Sequence, residues 1–258
     1  MRITALIENT SHREDVRPRH GLSLYIETNG HRLLFDMGQD SLFAENAAAL
    51  EIDLSQVDLA VLSHGHYDHG GGLREFLRIN QKAPVYVSKY AFGDYYNGAE
   101  KYIGMDQELR NEPRLIHTDG ETAIAEGLCL YSQNHLPRPN SPGSFGLTVR
   151  TEQGFLEDPF LHEQYLLIEE NEKRVLISGC SHKGILDITE WFRPDVLIGG
   201  FHLSKLPLGE ELEKIAKALN RFPTLYYTCH CTGEAQFAFM KERMEHLRYL
   251  SCGESIDL

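Results

Sequence analysis

Between Ser63 and Gly72 the sequence reads Ser-His-Gly-His-Tyr-Asp-His-Gly-Gly-Gly, three imidazoles and a carboxylate within six positions, followed by three glycines. Neutral imidazole and carboxylate are the nitrogen and oxygen donors that zinc, iron(II) and manganese accept, and four of them so close together can serve two ions. In extended backbone, side chains two apart face the same way, so His64 and His66 converge on one ion while Asp68 and the adjacent His69 diverge toward a second. The run is preceded by Asp58-Leu59-Ala60-Val61-Leu62, which reads as a buried strand, and followed by Leu73-Arg74-Glu75-Phe76-Leu77, which reads as a helix. The donors therefore sit at a strand-to-helix junction, which places the chain among α/β proteins.

The same alternation runs along the rest of the chain. Leu22 to Glu27 and Arg32 to Asp36 are strand-like around Thr28-Asn29-Gly30-His31, and Asn-Gly predicts a β-hairpin. Ser41 to Leu50 predicts a helix capped by Asp40 or Ser41, and Pro84 to Val87 a strand that begins at proline. Residues Tyr90 to Asn111 and Gln133 to Gly146, rich in turn formers, read as loops that shape a pocket. Tyr165 to Glu169 and Arg174 to Ser178 predict a second hairpin around Asn171. Helices are predicted over Ile185 to Phe192, Gly209 to Asn220 and Glu234 to about Leu247, with strands over Asp195 to Ile198 and Thr224 to Thr228. No linker interrupts this order, so residues 1–258 read as one domain.

Composition narrows the function. With 41% hydrophobic and 24% charged residues, 258 residues can bury a sizeable core. No apolar run approaches the roughly 18 residues that span a bilayer, and the start resembles a short strand rather than a signal peptide, so a cytoplasmic protein without a membrane partner is expected. Five cysteines, an odd number without a regular framework, fit reduced thiols. A net charge of −13 with no basic aromatic runs makes nucleic acid an unexpected partner.

The run Leu62 to Leu73 resembles the metal-binding signature of the metallo-β-lactamase superfamily. Four further segments sharpen the resemblance: His20 to Leu24, Ser178 to Ile185, Gly199 to Leu203 and Thr228 to Gly233. They are similar to a branch of dihydropterin ribofuranosylaminobenzene phosphate synthase-like proteins, associated with methanopterin biosynthesis. The resemblance spans residue 3 to about residue 235. It implies a four-layer αββα sandwich, with two divalent ions, zinc first and iron or manganese as alternatives, held in loops along one edge of the stacked sheets.

The resemblance also places further ligands. His230, after the strand Thr224 to Thr228, corresponds to the superfamily's last histidine, on the second ion with Asp68 and His69. Cys180 occupies the place of an Asp or Cys that touches or bridges the ions. His182, two residues on, should face the same side, and imidazole is the commoner ligand for a borderline metal, which favours His182 beside Cys180. A third histidine for the first ion normally comes from a Gly-His-Thr-like turn; here the nearest candidate is His135, which is free to meet substrate or lie on its loop if His182 takes that place. His202 ends another strand and is open to a pocket role. Cys229 and Cys231 bracket His230, but neighbours in an extended segment point away from it, and neither is expected among the ligands. Asp36 matches a superfamily motif as a strand-end carboxylate that accepts the second N–H of a ligand histidine.

Two adjacent divalent ions make hydroxide available at neutral pH and polarise a carbonyl or phosphoryl oxygen, while Asp68 orients the nucleophile or carries its proton. The helix after Gly70-Gly71-Gly72 presents its positive end to the site and Lys183 adds charge, which together suit a small anionic substrate. Three functions follow: a two-metal hydrolase of an anionic ester, lactone or phosphoester; the branch's synthase reaction, in which an aminobenzoate condenses with phosphoribosyl pyrophosphate and loses CO2 and pyrophosphate; and a non-haem iron redox or sensory protein.

Overall fold

A computed structural model describes residues 1–258. In chain order the elements are β1 (Arg2–Ile7), β2 (Ser23–Thr28), β3 (His31–Phe35), α1 (Leu42–Ala49), β4 (Leu59–Val61), α2 (Tyr67–Gly70), α3 (Leu73–Ile79) and β5 (Val85–Ser88). They continue with β6 (Tyr95–Asn97), β7 (Lys101–Tyr102), β8 (Leu115–Thr118), β9 (Glu121–Ala125), β10 (Leu128–Tyr131), β11 (Leu147–Thr151) and β12 (Gly154–Glu157). The remainder holds β13 (Tyr165–Glu170), β14 (Lys173–Ile177), α4 (Ile185–Phe192), β15 (Val196–Gly199), α5 (Glu210–Leu219), β16 (Leu225–Thr228), α6 (Glu234–Lys241), β17 (Leu247–Tyr249) and β18 (Ser255–Asp257).

Two seven-stranded sheets form, ordered β18-β1-β2-β3-β4-β5-β8 and β17-β16-β15-β14-β13-β10-β9. Successive side chains of a strand point to opposite faces, so the uninterrupted apolar runs of the central strands serve two cores each. Val175 and Ile177 of β14 pack between the sheets with Ile3, Leu24, Phe35, Val61, Leu166 and Ile198. Leu176 between them faces outward against α4, α5 and α6, through Ile188, Phe192, Leu212 and Met240. On the first sheet Leu34, Ala60 and Val85 face α1 and α3 through Phe43, Phe76 and Leu77. Three cores between four layers make the expected αββα sandwich.

Both predicted hairpins form, with Leu24 opposite Phe35 in the first and Leu167 opposite Leu176 in the second. Two segments differ. The stretch Tyr90 to Asn111 supplies β6 and β7, which join β11 and β12 in a third sheet ordered β12-β11-β6-β7. Strands of two to five residues carry too few alternations to register as a period, and this sheet is held by side-chain pairs such as Tyr96 with Phe155, ring centres 5.0 Å apart. The helix predicted to reach Leu247 ends at Lys241, because Leu247 to Tyr249 pair with β16 as an edge strand and Leu247 enters the outer core. No helix is long and apolar enough to cross a membrane, and all five cysteines are free thiols.

What positions the site is the direction of the strands. β3, β4, β5 and β8 are parallel, as are β14, β15, β16 and β17. Ligands of such sheets gather where the carboxyl ends of parallel strands open into loops. Gln164 ties the two sheets together there: its backbone N–H donates to the Ser63 carbonyl at 2.8 Å, its Nε2 to the Leu62 carbonyl at 2.8 Å, and its Oε1 accepts from Thr118 Oγ1 at 2.6 Å. Gln164→Leu strands the buried Leu62 carbonyl, while the Thr118 hydroxyl keeps the Val87 carbonyl as acceptor, and should cost about 1–3 kcal/mol, measured by denaturant unfolding of the metal-free protein.

Candidate metal centre

The carboxyl end of β4 runs into the donor cluster. Ser63 is pinned by Asp36, whose Oδ1 accepts from the Ser63 N–H and whose Oδ2 accepts from the Ser63 hydroxyl, both at 2.7 Å. Gly65 is obligatory at its position, since a Cβ there would overlap the Ala91 carbonyl oxygen. His66 ends the extended stretch, and Asp68 and His69 project from the helical turn α2. Their divergence thus comes from helical spacing rather than the extended geometry expected.

The donors brought together are those of the cluster plus Cys180, His182 and His230. The nitrogens of His64, His66 and His182 lie within 4.8 Å of one another, as do the donor atoms of His64, His69 and Cys180. His64 Nε2 faces His182 Nε2 at 3.3 Å, and His69 Nε2 faces His230 Nε2 at 3.2 Å and Cys180 Sγ at 3.1 Å. Asp68 Oδ2 is 3.5 Å from His230 Nε2 and 3.2 Å from His20 Nε2. Two nitrogen ligands about 2.0 Å from one tetrahedral ion lie about 3.3 Å apart, so these spacings are those of ligand edges. His66 Nε2 is buried with no hydrogen-bond partner, as is His182 Nδ1. A cation is the partner this donor set fits.

The opposite ring nitrogens are held in place. Asp36 Oδ2 sits 2.7 Å from His69 Nδ1, Ser63 Oγ 2.7 Å from His64 Nδ1, and Asn9 Oδ1 3.0 Å from His230 Nδ1. The His230 backbone N–H donates to Glu8 Oε1 at 2.6 Å. Partners on Nδ1 leave Nε2 directed at the centre.

Burial, reinforced by the neighbouring imidazoles, holds His64 and His182 well below the ordinary histidine range and pushes His66 down to about 3, so all three offer lone pairs. Burial alone would raise Asp68, but His69, His20 and His230 hold it well below the usual carboxylate range. Burial works against charge on His69, yet the Asp36 and Asp68 carboxylates raise it to about 9.

Other expected residues fall differently. His135 is exposed on its loop and belongs to none of the donor groups; His182 stands beside His64 and His66 instead. The Lys183 ammonium is buried, donating to the Ser132 and Glu163 carbonyls at 2.6 and 2.8 Å, and it adds no charge to the cleft. The glycine N–H groups are spent as well: Gly70 and Gly71 donate to the His66 and Tyr67 carbonyls, and Gly72 to Gly38. The three glycines permit close packing, because a Cβ at Gly71 or Gly72 would overlap the Gln39 or Met37 carbonyl oxygen.

His202 lines the cleft beside His182, ring centres 4.1 Å apart. Cys231 lines it too, contrary to expectation, because the chain is not extended there: His230 adopts φ +48° and opens a 3-10 turn that swings the next side chain inward. Cys229 packs in the core between the sheets.

Some residues of the site were not singled out from sequence. His20 reaches Asp68 from a motif quoted only as part of a resemblance. His162 is buried, with Nε2 3.1 Å from Asp158 Oδ2 and Nδ1 accepting from the Gly65 N–H at 2.9 Å. The only signal for that dyad was its four-residue spacing. Lys101, Lys205 and Asn97 line the cleft.

The sequence model of the metallo-beta-lactamase superfamily matches residues 16–221. An uncharacterized protein of Methanocaldococcus jannaschii is 30% identical over 250 residues, covering 90% of each chain. The 7,8-dihydropterin-6-methyl-4-(beta-D-ribofuranosyl)-aminobenzene-5'-phosphate synthase of the same organism is 27% identical over 92% of this chain and 90% of its own. A crystal structure of a metal-dependent hydrolase of the beta-lactamase superfamily superimposes with a TM-score of 0.85 at 31% identity, covering 100% of this chain and 99% of the other.

Asp36→Asn should lower metal affinity about 10- to 100-fold by releasing His69, read by competition with a chromophoric chelator, whereas His135→Ala should leave that affinity unchanged.

Proposed function

The chain belongs to the metallo-β-lactamase superfamily, and from that premise we propose that it is a hydrolase using two divalent metal ions, zinc ahead of iron or manganese, to cleave a small anionic ester, lactone or phosphoester. The observation that carries this reading is the pair of adjoining donor sets. His64, His66 and His182 would hold one ion, and Asp68, His69 and His230 the other, with Cys180 beside His64 and His69.

When bound, such a pair supplies Lewis acidity and makes hydroxide available at neutral pH. The chain's own residues do the rest. Asp68 stays ionised, and its Oδ2 can accept the nucleophile's proton or orient its attack. His20, half-exposed, donates toward the same oxygen and fixes the carboxylate. Ile103 and Leu147 form an apolar wall of a cleft of about 160 Å³, and Lys101 and Lys205 supply positive charge beside it. Lys205 Nζ donates to the Phe145 carbonyl at 2.8 Å, which steadies it there. These two lysines support an anionic substrate, and the first residues of the helix after the glycines are not among those lining the cleft.

The 27% identity to the aminobenzene-phosphate synthase across almost the whole chain favours a second reading, a transferase acting on a phosphoribosyl donor. Metal analysis of the purified protein, paired with phosphodiesterase and lactonase panels and with phosphoribosyl pyrophosphate turnover, separates the two. Hydrolysis of a panel substrate is expected, with CO2 release from aminobenzoate and phosphoribosyl pyrophosphate marking the synthase instead. Fewer than one tightly bound metal per chain would defeat both readings.

His66→Ala should reduce either activity to background. Lys101→Ala and Lys205→Ala should each raise KM several-fold for anionic substrates with kcat little changed, as expected for residues that bind substrate and transition state alike.

A further inference from the structure

β14, β15 and β16 are adjacent and parallel, and each ends three residues before a side chain able to ligate a metal: Ile177 before Cys180, Gly199 before His202, and Thr228 before Cys231. The repeated offset brings the two thiol sulfurs and a His202 ring nitrogen to within 4.8 Å of one another. Only Cys180 has a place in the proposed pair; His202 and Cys231 have none.

His202 is the unexplained member. Both of its ring nitrogens are buried with no hydrogen-bond partner, although its ring sits between His182 and Phe145, at 4.1 and 5.4 Å between centres. Buried imidazole nitrogens are almost always satisfied, and two without a protein partner, on a ring that lines the cleft beside Cys231, fit a ligand there. His202 is also held at φ +53°, in the left-handed region that residues with a Cβ avoid. Its backbone N–H donates to Cys231 Sγ at 3.3 Å. Gly200 makes the room, because a Cβ there would overlap that sulfur. The loops are thus shaped around the thiol and the free imidazole.

We propose that Cys180, His202 and Cys231 form a sulfur-rich cation site of their own, taking one thiophilic divalent ion such as zinc or cadmium beside the imidazole-lined pair. Two thiolates and an imidazole are a donor set that zinc-like ions accept, and soft sulfur discriminates against magnesium and calcium. On binding, each thiol gives its proton to solvent and each thiolate donates an electron pair, His202 binds as neutral imidazole, and no group is oxidised or reduced. The site shares the Cys180 thiol with the proposed pair but needs none of His64, His66 or Asp68, so it can be tested in variants that lack those residues.

Titration of the full chain with cadmium chloride, followed by the ultraviolet absorption of cadmium thiolates, tests it. The wild type should show absorption from two thiolates per chain. Cys231→Ser should halve it, His202→Ala should weaken cadmium affinity at this site about tenfold or more, and His66→Ala should leave the thiolate band unchanged. Full wild-type absorption in Cys231→Ser overturns the proposal, as does wild-type affinity in His202→Ala, which decides the matter should Cys231→Ser not fold. If the hydrolase reading alone is wrong, the panels stay silent while the two-thiolate band persists. If the sulfur site alone is wrong, catalysis depends on His66 while Cys231 reacts with iodoacetamide as fast with cadmium as without.

Discussion

The fully buried Asp36 carboxylate is the interaction on which the rest of the centre depends. A buried charge is tolerated only where its oxygens are satisfied, and Asp36 satisfies both by gathering the Ser63 N–H, the Ser63 hydroxyl and His69 Nδ1. Those three contacts join the end of β3 to the end of β4 and to the turn α2. They fix the backbone that carries His64 and the ring that carries His69 with one side chain. Burial works against charge on His69, but the Asp36 and Asp68 carboxylates raise it to about 9, and in the proposed centre a cation at Nε2 would take the place of that proton.

A second support holds the other side of the same loop. Asp158 faces His162 Nε2, which leaves His162 Nδ1 to accept the Gly65 N–H, so the peptide between His64 and His66 cannot rotate. Gly65 lies so close to the Ala91 carbonyl that no side chain fits there. The spacing His-x-His is therefore enforced from behind by a dyad and from the side by packing. Convergence of the donors is a property of the scaffold as much as of the ligand run.

These supports explain what could be read from the sequence. The His64 to His69 run was legible because its donors are contiguous and lie between a strand and a helix. Asp36, Cys180, His182 and His230 were legible because each follows the apolar strand that delivers it. Cys231 lines the cleft, against the extended-chain expectation, because the segment turns at His230. The choice between His135 and His182 turns on which loop folds back over β4, a tertiary fact that spacing does not carry. The third sheet escaped because its strands are too short to show a period, and the dyad of Asp158 and His162 because its role lies in a contact 97 positions away, with Gly65.

The placement of donors by strand also gives the centre a mixed chemistry. The first set is all imidazole, His64, His66 and His182, and suits a borderline ion. Asp68 and His20 add oxygen and a polar rim where the cleft opens toward solvent. In the same cleft, Cys180 and Cys231 add sulfur at the ends of β14 and β16. The strand ends carry mixed donors, Cys180 with His182 after β14 and His230 with Cys231 after β16, so sulfur and nitrogen lie side by side along the sheet edge. In the proposed arrangement an ion beside Asp68 and one between the thiols would both border that cleft. Closeness of soft and borderline donors, rather than their separation, is what the parallel strand ends produce.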